Sequence, residues 1–224
     1  DVGIITANLL LGCTELSIEG RIFPRTIPCM SAFRTADDGR VSADFCGLAR
    51  RRMQKQEPNC LHLYFNGCGG NIGAGKYNNG SKEARIELTQ RMFDGITTSN
   101  ATLKPEPIRS FAWETEDILP PLDPRFNEEQ LLVGIRNKTN RVVARNRPSY
   151  TVAFIRRVKE GIPITLSSLH VNDISILHLP AESFIEYQLR AQAIAPNRFV
   201  ACAAYGDGGP WYIPVEAVSY THLT

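Results

Sequence analysis

The sequence is poor in histidine. It has only four, His62, His170, His178 and His222, and none stands in an H-x-H or H-E-x-x-H pair. A zinc helix presenting two imidazoles on one face is therefore excluded. Six cysteines, Cys13, Cys29, Cys46, Cys60, Cys68 and Cys202, form no C-x-x-C, which removes the zinc knuckle. Their scatter is not that of a small disulfide scaffold, and two readings stay open: buried thiols, or one or two disulfides in an exported protein. No apolar run is long enough to cross a bilayer. The net charge of +2 leaves no electrostatic footprint for nucleic acid, so no such partner is expected. The basic run Arg50-Arg51-Arg52 with Lys55 reads instead as a solvated helix face. There is no internal repeat and no low-complexity tract. The chain opens at Asp1 without a basic n-region or apolar h-region, so a signal peptide is absent or lies upstream, and both ends read as cut.

What is present is an ordinary globular balance, 43% hydrophobic and 21% charged over 224 residues, enough for one sizeable core. Residues 1–41 show no clean period. Ser42 is placed to cap a helix running to about Gln56, which Pro58 follows as a stop. Leu61 to Phe65 reads as a short buried strand. A helix is expected from Ser81 to about Thr97, with Ala84, Leu88, Met92 and Phe93 on one apolar face. The five prolines of residues 104–126 predict an extended connection around one strand, Ile108 to Trp113. A further helix is expected from Asn127 to about Thr139. Strands Ile164–Leu169 and Ile174–Leu179 flank an Asn172-Asp173 turn. Pro180-Ala181-Glu182 then opens a helix to about Ala195, and Arg198–Ala203 is another strand. Alternation of helices and strands predicts an α/β fold, a mixed sheet with flanking helices.

A Gly-rich loop covers Asn66 to Gly80. Gly70-Asn71-Ile72-Gly73-Ala74-Gly75-Lys76 fits the phosphate-cradling pattern G-x-x-x-x-G-K after a strand. Tyr77 stands where that chemistry needs a magnesium-binding hydroxyl, and Asn78-Asn79-Gly80 favours a turn where a helix should start. Both features argue against a nucleotide. A structural glycine loop and a loop whose backbone donors face a substrate oxyanion are the readings left. Three N-x-S/T sequons, at Asn79, Asn100 and Asn137, are expected by chance. His62 and His178 interrupt apolar strands and read as satisfied core histidines; His170 has no assigned role.

The loop Phe65-Asn66-Gly67-Cys68-Gly69-Gly70-Asn71-Ile72-Gly73-Ala74-Gly75-Lys76-Tyr77-Asn78 resembles the post-strand loop of the neutral/alkaline ceramidase family, in particular a bacterial branch. Val41-Ser42-Ala43-Asp44-Phe45 resembles that family's Ser-Ala-Asp helix start. Leu179-Pro180-Ala181-Glu182 resembles its Leu-Pro-Gly-Glu, and Gly209-Pro210-Trp211-Tyr212-Ile213-Pro214 its G-Y-I-P stretch. The resemblance spans about residues 26–217 and implies a ceramidase-like catalytic domain, incomplete at both ends, over residues 1–217. Residues 218–224 read as a non-native tail. By the same resemblance Glu182 and Tyr212 are zinc ligands, Asp207 orients a ligand, and Gly70, Asn71 and Gly73 belong to the catalytic loop. Asp207 reads equally as a turn residue that stabilises its loop. Gly73 occupies the place of the family's serine nucleophile and cannot attack a carbonyl. Ile27, in Thr26-Ile27-Pro28, occupies the place of a zinc histidine, and a second histidine would come from a segment upstream of this chain.

Independently of the family, a carboxylate just past a strand end and at a helix N-terminus stands where α/β proteins place ligands, with its charge favoured by the helix dipole. An ordinary first-turn carboxylate reads the same way, and Tyr212 alone reads as a packing aromatic. Two functions follow. One is a zinc-dependent hydrolase of N-acyl amide or related ester bonds acting on a small lipid or N-acyl substrate, incomplete or inactive as written. The other is a non-catalytic lipid- or carbohydrate-binding relative with a degenerate metal site. The resemblance also implies a secreted or periplasmic location.

Overall fold

The structure, a computed structural model, describes residues 10–11, 14–16, 22–24, 43–72, 79–102, 106–206 and 212–216. Its elements run β1 (Leu10–Leu11), β2 (Thr14–Leu16), β3 (Ile22–Pro24), α1 (Asp44–Gln56), β4 (Tyr64–Phe65), α2 (Lys82–Asn100), β5 (Phe111–Ile118), α3 (Glu128–Arg136), α4 (Val142–Lys159), β6 (Ile164–Val171), β7 (Ile174–Pro180), β8 (Glu182–Ser183), α5 (Ile185–Ile194), β9 (Phe199–Gly206) and β10 (Tyr212–Ile213). The principal sheet has the order β5-β6-β7-β9, antiparallel at the first two pairings and parallel at the last. Helix α5 connects the two parallel strands, because only a crossover can return the chain to run the same way. Short pairs complete the set: β1 parallel to β4, β2 antiparallel to β3, and β8 parallel to β10. The expected α/β architecture with a mixed sheet and flanking helices is what the chain adopts.

Alternation along β7 and β9 divides the core into two faces. Ile176, Ala201 and Ala203 pack on one, joined by Leu169 and Ile174. Val200 and Cys202 pack on the other with Leu177 and Leu179, where Ala191 and Ala195 of the α5 segment and Cys68 of the Gly-rich loop cover them. The helical layer has its own core: Phe45, Cys46, Ala49 and Met53 of α1 meet Leu88, Met92, Phe93 and Ile96 of α2. Ser81 caps α2 by accepting from the Ala84 N–H at 3.1 Å, and Asn127 caps α3 by accepting from Gln130 N–H.

Four expectations are corrected, and one helix was not expected. Ser42 lies outside the described residues, and α1 starts from Ala43 without a side-chain cap, Asp44 taking a left-handed φ of 52°. The strand expected over Leu61–Phe65 is confined to Tyr64–Phe65. The strand expected from Ile108 begins only at Phe111, because Asn172 Oδ1 accepts from the N–H groups of Arg109 (2.8 Å) and Ser110 (3.2 Å) and holds that stretch outside the ladder. Helix α4 was not signalled by the sequence, where Pro148 and an arginine-rich surface blur the period. Pro148 removes one intrahelical N–H, yet Val152 and Ile155 bury themselves and the helix runs on. Finally, the helix expected from Pro180 starts at Ile185: Pro180 ends β7, Ala181 turns left-handed, and Glu182–Ser183 form β8.

The described cysteines Cys46, Cys60, Cys68 and Cys202 are thiols, Cys60 half-buried and the others buried; Cys13 and Cys29 lie outside the described residues. No helix among the described residues is long and apolar enough to cross a membrane. The basic run on α1 is only partly a solvated face. Arg50 donates to the His62 carbonyl at 3.0 Å, and Arg52 lies 3.8 Å over the Phe93 ring.

Candidate active site at the ends of the parallel strands

Strands β7 and β9 run parallel, so their C-terminal ends open on the same rim, with Pro180 opposite Gly206. At that rim two residues other than glycine take left-handed backbone, Ala181 (φ 54°) and Tyr205 (φ 62°). Each such conformation costs on the order of 1–3 kcal/mol and persists only where surroundings enforce it. Here they enforce each other: the Tyr205 N–H donates to the Ala181 carbonyl at 2.9 Å. The register between the strands slips in the same place, between His178 and Pro180.

Just beyond this strained pair, Glu182 sits on β8 as the register partner of Tyr212 on β10. The hydroxyls of Tyr205 and Tyr212 both donate to the Glu182 carboxylate. Partial burial raises the Glu182 pKa above its ordinary value, and the two phenol bonds offset part of that rise. Burial, together with the neighbouring Glu182 charge, raises the Tyr212 pKa as well. Glu182 does not lie in the first turn of α5; Glu186 does. The dipole argument for Glu182 is thus replaced by two phenol donors.

The Gly-rich loop docks on the same segment. Ala204 N–H donates to the Asn66 carbonyl at 2.8 Å, and Gly70 N–H donates to the Ser183 carbonyl at 3.0 Å. Gly70 is required by this approach, since a Cβ there would stand 2.5 Å from the Glu182 carbonyl oxygen and 2.6 Å from the Phe184 ring. Asn71 caps α5: its Oδ1 accepts from Ile185 N–H at 3.0 Å while its Nδ2 donates to Glu186 Oε2 at 2.9 Å. Cys68 is fully buried beside Cys202, and its N–H reaches Gln188 Oε1. The neighbouring thiol and burial push the Cys202 pKa up, so that thiol stays protonated.

Of the candidate residues, the structure therefore brings Gly70, Asn71, Glu182 and Tyr212 into one region. The Gly70 and Ile72 N–H groups are spent within the protein, the latter on the Gly69 carbonyl, so neither is offered to a substrate oxyanion. Gly73, Asp207, Ile27 and the tail 218–224 lie outside the described residues. Sequence reasoning missed two groups. Tyr205 supplies a second phenol on Glu182 from a left-handed backbone position. Asn66 Oδ1 is buried with no hydrogen-bond partner among the described residues.

The described histidines stand apart from Glu182 in role. His178 Nδ1 bonds Ser167 Oγ at 3.0 Å and its ring lies 5.3 Å from that of Trp113, a satisfied packing histidine as expected. His170 lies between Ser168 and Ser175, at 3.0 and 2.9 Å. His62 is buried as expected, but neither ring nitrogen makes a hydrogen bond among the described residues. It belongs instead to a group of metal-ligating side chains, Glu57, Cys60 and His62, whose donor atoms lie within 4.8 Å of one another.

Glu182 and Tyr212 are oxygen donors already in contact, and they suit two positions of a tetrahedral zinc site. Such a site needs two further donors or a water beside a third. Among the described residues no group of three His, Cys, Asp or Glu donors includes Glu182, so the pair fits such an ion without completing its shell.

Two solved structures share this fold. The chain superposes on neutral ceramidase from Pseudomonas aeruginosa with a TM-score of 0.55 at 12% identity, over 89% of this chain and 40% of that one. It superposes on a ceramidase complexed with C2 with a TM-score of 0.53 at 11% identity, over 90% and 41% respectively. The resemblance read from the sequence motifs is borne out as a shared fold, and the chain spans about two fifths of the length of these structures. No family model matches the sequence, and no curated protein matches it.

Proposed function

We propose that the chain is the carboxylate-bearing part of a ceramidase-like, zinc-dependent hydrolase that cleaves N-acyl amide or related ester bonds of a small lipid-like substrate. The observation that carries this reading is the Glu182 carboxylate at the rim of the parallel strands, held by the Tyr205 and Tyr212 hydroxyls and floored by the Gly70 loop. Glu182 and Tyr212 are the oxygen ligands for zinc, with the remaining donors outside the described residues. Zinc, when bound, supplies polarisation of an acyl carbonyl or an activated water. Tyr205 acts through Glu182 by fixing the carboxylate and sharing its charge. Gly70 acts through its missing side chain, which lets the loop close on β8 and α5. Asn71 fixes the start of α5 rather than touching substrate, and oxyanion donors come from loop positions other than Gly70 and Ile72. Gly73 removes the serine route, leaving water as the nucleophile, and Asp207 orients the substrate. An extracytoplasmic location, secreted or periplasmic, accompanies this reading.

The test is hydrolysis of an N-acyl amide substrate by the full-length parent protein, with and without a chelator, alongside zinc content. Glu182→Gln and Tyr212→Phe are expected to lower both zinc occupancy and turnover. Full zinc occupancy in Glu182→Gln would sink the ligand assignment. A second reading, a non-catalytic lipid- or carbohydrate-binding relative, is favoured by Ile27 and Gly73. Chelator-insensitive ligand binding without turnover would establish that reading in place of the first.

A further inference from the structure

We infer that Glu57, Cys60 and His62 form a second, structural cation site of the zinc class, separate from the strand-end rim and independent of the hydrolase reading. The three residues occupy six positions at the exit of α1, and each directs one donor atom into a common space less than 4.8 Å across. The donor set is one carboxylate oxygen, one thiol sulfur and one imidazole nitrogen, a mixture that suits a borderline-soft divalent ion better than calcium or magnesium. In a tetrahedral zinc site, bonds of about 2.0–2.3 Å place donors roughly 3.3–3.8 Å apart. His62 Nε2 already stands 3.0 Å from Glu57 Oε2.

An independent observation points to a ligand here. His62 is 1% exposed, and neither of its ring nitrogens makes a hydrogen bond among the described residues. His62 Nε2 approaches Glu57 Oε2 to 3.0 Å outside hydrogen-bond geometry, and Nδ1 makes no hydrogen bond among the described residues. Buried imidazoles are ordinarily bonded, so an ion supplies the partner that the surrounding protein does not.

The supporting shell is built. Gln54 donates to the Cys60 carbonyl at 2.6 Å and accepts from His62 N–H at 3.1 Å. Arg50 donates to the His62 carbonyl at 3.0 Å, and Cys60 N–H closes a turn on the Glu57 carbonyl at 3.1 Å. Asn100, at the end of α2, donates to Glu57 Oε1 at 2.5 Å, which leaves Oε2 facing His62. Second-layer bonds of this kind orient metal ligands. Three protein donors leave a fourth position, on the half-buried Glu57 and Cys60 side, for water. The ion would tie the end of α1 to α2 through Asn100 and to the strand that enters the Gly-rich loop.

The experiment is titration of the full chain with Co²⁺ under reducing conditions, followed by Zn²⁺ competition, with absorbance read for thiolate-to-cobalt charge transfer. One equivalent of Co²⁺ is expected to give that band, and one equivalent of Zn²⁺ to remove it. Cys60→Ser, a half-buried and conservative change checked for folding by circular dichroism, is expected to abolish the band. It should also weaken Zn²⁺ binding at this site at least about tenfold, the scale on which even a second-layer partner matters. Glu182→Gln is expected to leave the band in place. No charge-transfer band in the folded wild-type chain, or a band that survives Cys60→Ser, would overturn the site and leave Glu57 and His62 as a close contact without an ion.

Discussion

The α1–α2 layer and the rim beyond β7 and β9 are built on opposite plans. In the helical layer, apolar side chains spaced for one face meet across one interface. The polar groups with it among the described residues are Asp44 (3.2 Å from Arg85), Thr89, and the Glu57, Cys60 and His62 group. At the rim, two left-handed residues, a partly buried carboxylate and two tyrosine hydroxyls share a small volume, and backbone of the Gly-rich loop takes the place of side chains. The first arrangement maximises burial, and the second holds unfavourable groups in place. Function is expected where the structure tolerates cost, and stability where it does not.

Substitutions at each place sharpen that contrast. Phe93→Ala should have the largest effect on folding, destabilising by about 3–5 kcal/mol in denaturant unfolding, because it empties a core position and removes the surface under the Arg52 guanidinium. A loss below about 1 kcal/mol would show that the helical layer is not the stability core. Gly70→Ala follows, with about 1–3 kcal/mol expected from overpacking, since its Cβ meets backbone oxygen rather than a flexible side-chain end. Its diagnostic is a stability loss together with loss of ligand binding at the rim; a neutral variant would mean that the loop does not dock on Glu182. Ser81→Ala should cost about 1 kcal/mol through the lost cap of α2, with no effect on the rim.

The smallest effect on folding, and the most informative sign, belongs to Glu182→Gln. A carboxyl whose folded pKa is raised above 4.5 binds its proton more tightly in the folded state. Ionising it therefore erodes stability as pH rises from about 4.5 through the folded pKa, and this loss is absent at lower pH. Glu182→Gln should be neutral in acid and slightly stabilising at neutral pH, read as a flatter melting-temperature profile above pH 4.5. A variant less stable than wild type at neutral pH would show that the ionised carboxylate serves the fold, and the contrast between rim and core would fail.

Much of the architecture was legible because it rests on local rules. Ser81 and Asn127 announce helix starts by their side chains, and Ala84, Leu88, Met92 and Phe93 announce the buried face of α2 by their spacing. Alternation in β7 and the β9 segment, with Asn172-Asp173 between β6 and β7, marked the centre of the sheet. Helix α4 was hidden because Pro148 breaks the local pattern while Val152 and Ile155 hold the helix by tertiary burial. The start of α5 was misplaced for a related reason. Pro180 is acceptable in a first helical turn, but pairing of Glu182–Ser183 with Tyr212–Ile213 competes for those residues and wins.

The sequence by itself determined the class of fold and the Gly-rich loop after a strand, because composition and spacing are properties of residues read in order, and its resemblance to a family made Glu182 and Tyr212 candidates. Only the tertiary structure decided that Tyr205 joins Tyr212 on Glu182, that Gly70 is demanded by the Glu182 backbone, and that Asn71 spends its side chain on α5. It likewise decided that Glu57, Cys60 and His62 converge. Each of these depends on distances between segments far apart in the chain or on the direction a side chain takes after a turn. Such distances are set by packing and backbone pairing, which no local pattern encodes.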